Sequence, residues 1–327
     1  MEVIIGVDVG GTNTVIGIFN KSLSLLSKES VPTLISKEKD GHDFFDYVSF
    51  HITRLLDSMD EAPQVLCVGM GVPGIVDSED GIAYGAVNMG WSHLPIAIEM
   101  KQRLGVPVFI DNDVRAYTQG EVIAGSGQGK KNVLCITLGT GIAAGIMMNG
   151  RMISGARFYA GEIGHDRCPD VSFQCKCGKV GCLETVASGP GIVRLANEAI
   201  KAGKQTSLRK LDAPFSSIDV YGAAQKGDQV ALDVFKDVGR TLGIKLVTIA
   251  YLLNPETIII GGGPAAAGDL LLNPIKHVFN EHYRYTNEIP EIVTGSLGDT
   301  AGLIGSAYMA INQTQIQNEG VRGKVDL

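Results

Sequence analysis

No stretch of this 327-residue chain stays apolar long enough to cross a bilayer: the strongest run, Leu246–Leu253, falls well short of the ~18 residues a spanning helix needs. A membrane role is therefore not expected. The opening Met1-Glu2-Val3-Ile4-Ile5 lacks both the basic segment and the small-residue cleavage site of an export signal, so the expected compartment is the cytoplasm. Lys and Arg number 28 against 35 Asp and Glu, a net charge of −7, and no dense basic run breaks the sequence. Such a chain makes a poor polyanion binder, and no nucleic-acid partner is expected. It also lacks the G-x-x-x-x-G-K-[ST] phosphate loop. A dinucleotide-binding turn is argued against as well, because Asp8-Val9-Gly10 leads into a strand and not a helix.

What the chain has in excess is glycine, 42 of 327 residues, nearly twice the usual ~7%. Its length suggests two domains or lobes. Val3–Val9 and Val15–Phe19 read as strands joined by the turn Gly10-Gly11-Thr12, and Val133–Leu138 and Ile142–Met148 repeat that unit around Gly139-Thr140-Gly141. The match suggests an internal duplication of one phosphate-gripping hairpin; chance likeness between glycine-rich hairpins is the alternative. Helices are expected at His51–Met59, Ile96–Leu104, Gly191–Ala202, Val230–Leu253 and Thr300–Ile311, and further strands at Val65–Gly71, Val106–Ile110 and Thr257–Ile260. Strands alternating with helices indicate an α/β architecture. The polar tail Asn312–Leu327 is expected to fray.

Several of these residues carry chemistry. In Asp8-Val9-Gly10-Gly11-Thr12 the glycines let backbone N–H groups approach phosphate oxygens, while the carboxylate can hold a metal ion or its waters against them. Asp111-Asn112-Asp113 follows a strand and opens a helical pattern through Glu121. Ligands of open α/β sheets favour that place, although Asn and Asp there also serve as plain N-caps. A carboxylate at a helix N-terminus stays ionised and can act as a base. Cys67 and Cys135 sit in apolar runs as small hydrophobes. Cys168, Cys175, Cys177 and Cys182 crowd into one loop, which in a reducing compartment points to metal and not to disulfides. His165, Cys175, Cys177 and Cys182 offer one imidazole and three thiolates, the set of a closed structural zinc site; reduced thiols without metal are the alternative. Cys168 could compete as a ligand, but its place before Pro169 suits it less. Tethered to such a loop, Glu162 and Glu184 would be fixed acceptors for a polyhydroxylated ligand, and free of it they would be solvated surface charges. Asn88 offers an amide beside Trp91, the sole Trp, which reads equally well as a core residue.

Taken together, Asp8-x-Gly10-Gly11-Thr12, Gly71-x-Pro73-Gly74, Asn88-x-x-Trp91, Asn112-Asp113, Gly139-Thr140-Gly141, Gly161-Glu162-x-Gly164-His165 and Cys175-x-Cys177-Gly178-x-x-Gly181-Cys182-Leu183-Glu184 resemble the ROK family of repressors, open reading frames and sugar kinases. The resemblance implies a two-lobed actin/hexokinase-like ATPase fold, a duplicated ribonuclease H-like domain with an interlobe cleft. One lobe would comprise residues 1–117 plus about 300–327, and the other residues 118–299, with the zinc loop at 161–189. It further implies ATP-dependent phosphorylation of a hexose at its 6-hydroxyl, with Mg²⁺ and a structural Zn²⁺. Glucose is the first choice of sugar and an N-acylhexosamine, N-acetylmannosamine or N-acetylglucosamine, the second. Asp113 would be the base, with Gly71, Asn88, Asn112, Glu162, His165 and Glu184 around the sugar. Asp8, Gly10, Gly11, Thr12, Gly139, Thr140, Gly141, Gly261 and Gly262 would serve the nucleotide, and a homodimer or higher homo-oligomer is expected. Asp166-Arg167-Cys168-Pro169-Asp170 departs from the hydrophobic segment associated with glucose kinases. A non-catalytic, sugar-responsive repressor, the family's other branch, would need an N-terminal DNA-binding module, yet Val3 already reads as core strand.

Overall fold

The computed structural model describes residues 1–36, 40–86, 89–211, 214–284 and 288–322, with backbone alone for 317–322. Two compact units divide the chain, one of residues 1–128, 154–159 and 299–327, the other of residues 129–153 and 160–298.

The first unit begins with β1 (Glu2–Val9), β2 (Asn13–Phe19) and β3 (Leu25–Pro32), followed by α1 (His42–Asp57) and β4 (Gln64–Val72). Three short strands, β5 (Ile75–Asp77), β6 (Ile82–Ala86) and β7 (Trp91–Leu94), form a small sheet of their own. Then come α2 (Ile96–Leu104), β8 (Val108–Asn112) and α3 (Asp113–Ala124). In the second unit the order is β9 (Val133–Leu138), β10 (Ile142–Met148), β11 (Arg151–Met152), α4 (Glu184–Ala187), α5 (Gly189–Lys201), α6 (Ser217–Gln225), α7 (Gln229–Leu253), β12 (Thr257–Gly261), α8 (Asp269–His282) and β13 (Glu291–Thr294). The last helix, α9 (Ala301–Arg322), returns to the first unit.

Each unit is built on a five-stranded sheet, ordered β3-β2-β1-β4-β8 in one and β11-β10-β9-β12-β13 in the other. In both, the central strand pairs antiparallel with the next strand in sequence and, on its other edge, parallel with a later one: β1 with β2 and β4, β9 with β10 and β12. The repeated hairpin of the sequence thus marks a repeated sheet. Val3, Ile4, Ile5, Val7 and Val9 are all buried, so β1 is covered on both faces, as continuous apolar runs in strands require.

The helices bury amphipathic stripes against these sheets. In α1 the buried face is Phe44, Phe45, Val48, His51, Ile52 and Leu55. The helix expected at His51–Met59 is only its second half; the apolar spacing runs back to Phe44, and a left-handed Gly41 starts it without any side-chain cap. Another correction concerns the tail. Helix α9 runs on through Arg322 instead of fraying from Asn312; Leu303, Ala307 and Ala310 anchor its first half against Ile4, Phe19 and Cys67, and residues 323–327 lie outside the described residues. Close approach explains part of the glycine excess: a Cβ on Gly120 of α3 would lie 2.7 Å from the Ala301 carbonyl carbon, and one on Gly305 of α9 would lie 2.7 Å from that of Ala116. Among the described residues no helix is long and apolar enough to cross a membrane.

Candidate functional site

In the first unit the β1–β2 turn is closed by Gly10 N–H donating to the Asn13 carbonyl at 3.0 Å. Thr33, just past β3, locks it from the side, its hydroxyl on the Gly10 carbonyl at 2.7 Å and its amide on that of Thr12 at 2.8 Å. Gly11 and Thr12 remain exposed at the tip. Asp8, one residue before the end of β1, lays its carboxylate against the first turn of α9, where a Cβ on Gly302 would come within 2.6 Å of Asp8 Cγ. Burial first, and then the carboxylates of Asp113 and Asp299, push Asp8 from its ordinary 3.8 up to about 7. Three acids thus converge on one spot. Their mutual repulsion is relieved by a dication, and the donor set fits Mg²⁺.

Asn112 ends β8 and caps α3, its Oδ1 accepting from the Val114 and Arg115 amides at 3.0 and 3.2 Å. Its Nδ2 donates to the Gly74 carbonyl at 2.9 Å, tying the Gly71–Gly74 turn to the helix start. Asp113 follows as the first helical residue, and Gly71 packs behind it, where a Cβ would sit 3.4 Å from Asp113 Cα. Asp111 does other work. It is buried, accepts from Arg115 Nε at 2.5 Å, and Arg115 in turn donates to the Val76 carbonyl at 2.8 Å. Of the two acids flanking Asn112, then, one braces the fold. Trp91 is a core residue, buried and edge-on to Phe44 at 4.8 Å. Asn88 lies outside the described residues.

The second unit repeats the turn, with Gly139 N–H on the Gly141 carbonyl at 2.9 Å and Gly139 and Thr140 exposed at the tip. Residues following the cysteine loop clasp it: Gly189 N–H donates to the Gly139 carbonyl at 2.9 Å, and a Cβ on Gly141 would lie 2.8 Å from Glu184 Oε2. Gly262, at φ 84° after β12, presses on the end of β9, 2.8 Å from the Leu138 carbonyl carbon at its missing Cβ, and Gly261 is the last residue of β12. His165 closes a short 3-10 turn that starts beside the exposed Glu162.

His165, Cys175, Cys177 and Cys182 place their ligand atoms within 4.8 Å of one another. Cys177 Sγ is 3.6 Å from Cys182 Sγ, and Cys175 Sγ is 3.8 Å from His165 Nδ1. A tetrahedral zinc with bonds of 2.0–2.3 Å needs edges of about 3.3–3.8 Å, so the set fits that ion. Cys168 is buried and stands outside the cluster. Cys175 also donates to Glu184 Oε1 at 2.9 Å; burial, and then this contact, push its thiol up to about 12. Glu184 therefore reaches both the ligand cluster and the Gly139–Gly141 turn.

The model of the ROK family matches residues 4–313. The chain belongs to the ROK family. It is 35% identical to a glucokinase of Halalkalibacterium halodurans, over 97% of each chain. Among solved ROK structures, a glucokinase from Streptomyces griseus in complex with glucose and AMPPNP is 32% identical, with a TM-score of 0.82 over 95% of this chain and 99% of that one. A ROK transcriptional regulator, a homologue of the Escherichia coli Mlc protein, superposes with a TM-score of 0.85 at 28% identity, over 94% of this chain and 77% of its own. The fold is the two-lobed actin/hexokinase type shared by ROK hexokinases.

Two residues beside this ROK site escaped the sequence reading. Asp299 faces Asp8 electrostatically, and Gly302 gives the Asp8 carboxylate its seat. Gly298-Asp299-Thr300 before an apolar run is an N-terminal helix signal, so the pattern could have flagged the acid, but only the tertiary fold brings it to β1.

Proposed function

We propose that the chain is an ATP-dependent hexose kinase that moves the γ-phosphoryl group of ATP to the 6-hydroxyl of glucose. The observation that carries this reading is Asp113, fixed at the first turn of α3 by the Asn112 cap and close enough to Asp8 for their charges to interact. Asp113 takes the proton of the 6-hydroxyl as that oxygen bonds to the γ-phosphorus, and the bond from phosphorus to the bridging oxygen of ADP breaks. Positioning and charge neutralisation supply most of the catalysis in such a transfer. Asn112 and the Gly71–Gly74 turn orient the sugar with Glu162, His165 and Glu184, and Asn88 is assigned to the same task. The turns at Gly10–Thr12 and Gly139–Gly141 offer backbone amides to phosphate oxygens, Gly261 and Gly262 shape the nucleotide side, and Asp8 holds Mg²⁺, which offsets phosphate charge when bound. His165, Cys175, Cys177 and Cys182 hold a structural Zn²⁺ that shapes the loop carrying Glu184. Sugar and ATP are the partners, nucleic acid takes no part, and the cytoplasm supplies both substrates.

A coupled ADP-release assay with glucose, N-acetylmannosamine and N-acetylglucosamine tests the reading. Glucose is expected to turn over fastest. Faster turnover of an acylhexosamine would move the substrate to that class. No turnover of any sugar would overturn the kinase and favour a sugar-responsive regulator, the reading that the likeness to the transcriptional regulator supports. Glu184→Gln keeps the size of the side chain and removes its charge, and it is expected to raise the glucose KM ~10-fold, a loss of about 1.4 kcal/mol of sugar binding, with the melting temperature within a few degrees of wild type. An unchanged KM would release Glu184 from sugar binding.

A homo-oligomer belongs to the same reading. The groove between α7 and α8, about 790 Å³, has Leu232, Ile244, Leu270 and Val278 among its apolar lining, with Lys236 and Arg240 on α7 and Asp269 and Glu281 on α8. Opposite charges on its two walls suit a second copy of the chain related by a two-fold axis. Ile244→Glu is expected to lower the mass found by sedimentation to that of a single chain; an unchanged mass would move the interface elsewhere.

A further inference from the structure

The segment after His165 that departs from the glucose-kinase pattern has a defined place in the second unit. Asp166–Cys168 runs alongside Gly181–Leu183 like a short antiparallel ladder: Leu183 N–H donates to the Asp166 carbonyl at 2.9 Å, Cys168 N–H donates to that of Gly181 at 2.7 Å, and Arg167 bridges Cys182 between them. It therefore links His165, at one end of the ligand cluster, to Cys182 at the other, and Glu184 follows two residues later. From its far side a cation reaches in. Lys245, on the 25-residue helix α7, donates from Nζ to the Arg167 carbonyl at 2.6 Å and pairs with Asp166 Oδ2 at 2.6 Å, its side chain only 19% exposed.

We infer that Lys245 is a positioning residue, touching neither metal nor sugar, whose ammonium ties the 166–168 segment to α7 and so holds His165 and Cys182 in register. A charged donor makes a shorter, stronger bond to a backbone carbonyl than a neutral one. The Asp166 carboxylate is 55% exposed, and an ion pair in that setting contributes little. The carbonyl contact is therefore the working part of the tether. Loosening it lets the imidazole and the Cys182 thiolate drift apart, which shows as faster metal loss and, given the kinase reading above, as a weaker hold on the hexose without a change in the transfer step.

The test compares Lys245→Met, which keeps the stem and removes the donor, with Lys245→Arg and Asp166→Asn. Zinc bound to the purified protein is followed as it passes to a chromogenic chelator, and KM and kcat for glucose are measured in parallel. Lys245→Met is expected to release zinc ~10-fold faster, at the low end of what partners behind metal ligands contribute, and to raise the glucose KM several-fold with kcat within a factor of two. Lys245→Arg should restore both, and Asp166→Asn should leave both within a factor of two. Zinc release in Lys245→Met at the wild-type rate, a purified chain that holds no zinc, or a fall in kcat with release unchanged would each overturn the tether. The release assay needs no turnover, so it stands even if glucose proves not to be a substrate.

Discussion

Asp113→Asn lowers kcat for glucose by a factor of ~10²–10⁴, the range a positioned general base contributes, while the KM for glucose stays within about threefold. The geometry of one helix start decides this outcome. Asn112 caps α3 through the Val114 and Arg115 amides and ties itself to Gly74, so the backbone that carries residue 113 is fixed without any help from the Asp113 side chain. An amide in its place is nearly the same size and keeps an oxygen to accept the local Val114 N–H, which Asp113 Oδ1 now accepts at 2.9 Å. What is lost is the carboxylate charge, and with it the capacity to take a proton. A loss confined to kcat means an interaction made in the transition state alone. A parallel rise in KM with little change in kcat would instead make Asp113 a sugar-binding group, and an unchanged rate would take it out of the mechanism. The neighbouring acid supplies the control. Asp111→Asn breaks a buried pair with Arg115, which costs fold stability first, so it should lower the melting temperature, an effect Asp113→Asn does not share.

That contrast marks where sequence alone stops. The two glycine hairpins were legible because each combines a continuous apolar strand with a turn that few other contexts tolerate, and the His165–Cys182 set because thiolate spacing in one loop is a local property. Asp111 and Asp113 look alike in composition and spacing; the family resemblance singled out Asp113, and burial beside Arg115 supplies the physical reason why Asp111 is a brace. The small β5–β7 sheet went unseen since its strands, among them Ile82–Ala86 with Gly85 and Trp91–Leu94 with Ser92 and His93, carry neither a continuous apolar run nor a clean alternation. Lys245 and Gly302 lie 78 residues or more from the groups they serve. No local pattern encodes such a meeting. Trp91 shows the opposite limit: a lone Trp beside a candidate sugar ligand read equally well as function or as core, and its ring packs against Phe44 in the core.

Asp8→Asn makes the protein inactive and, at neutral pH and above, more stable. Asp8 is partly buried, and burial together with Asp113 and Asp299 pushes its carboxyl from 3.8 up to about 7. The folded chain therefore binds a proton that the unfolded chain has already lost between those two values, and stability falls as the pH rises from about 4 to 7. Above 7 the whole cost is present, on the order of 4 kcal/mol for a shift of this size. An Asn at position 8 carries no charge at any pH and escapes that cost. The melting temperature without Mg²⁺ and ATP should then exceed that of wild type by several degrees at pH 8, and the gain should shrink as the pH is lowered towards 4. Turnover should fall ~100-fold or more, the loss expected when a preorganised electrostatic group is removed, because no carboxylate remains at the turn end of β1 to hold Mg²⁺ against the phosphates. A variant less stable than wild type at pH 8, or a gain that persists unchanged at pH 4, would mean that Asp8 is already satisfied in the folded chain. Strain of this kind is what the proposed site for a cation and a triphosphate would carry, and the close approach of Gly302 gives the carboxylate its seat there.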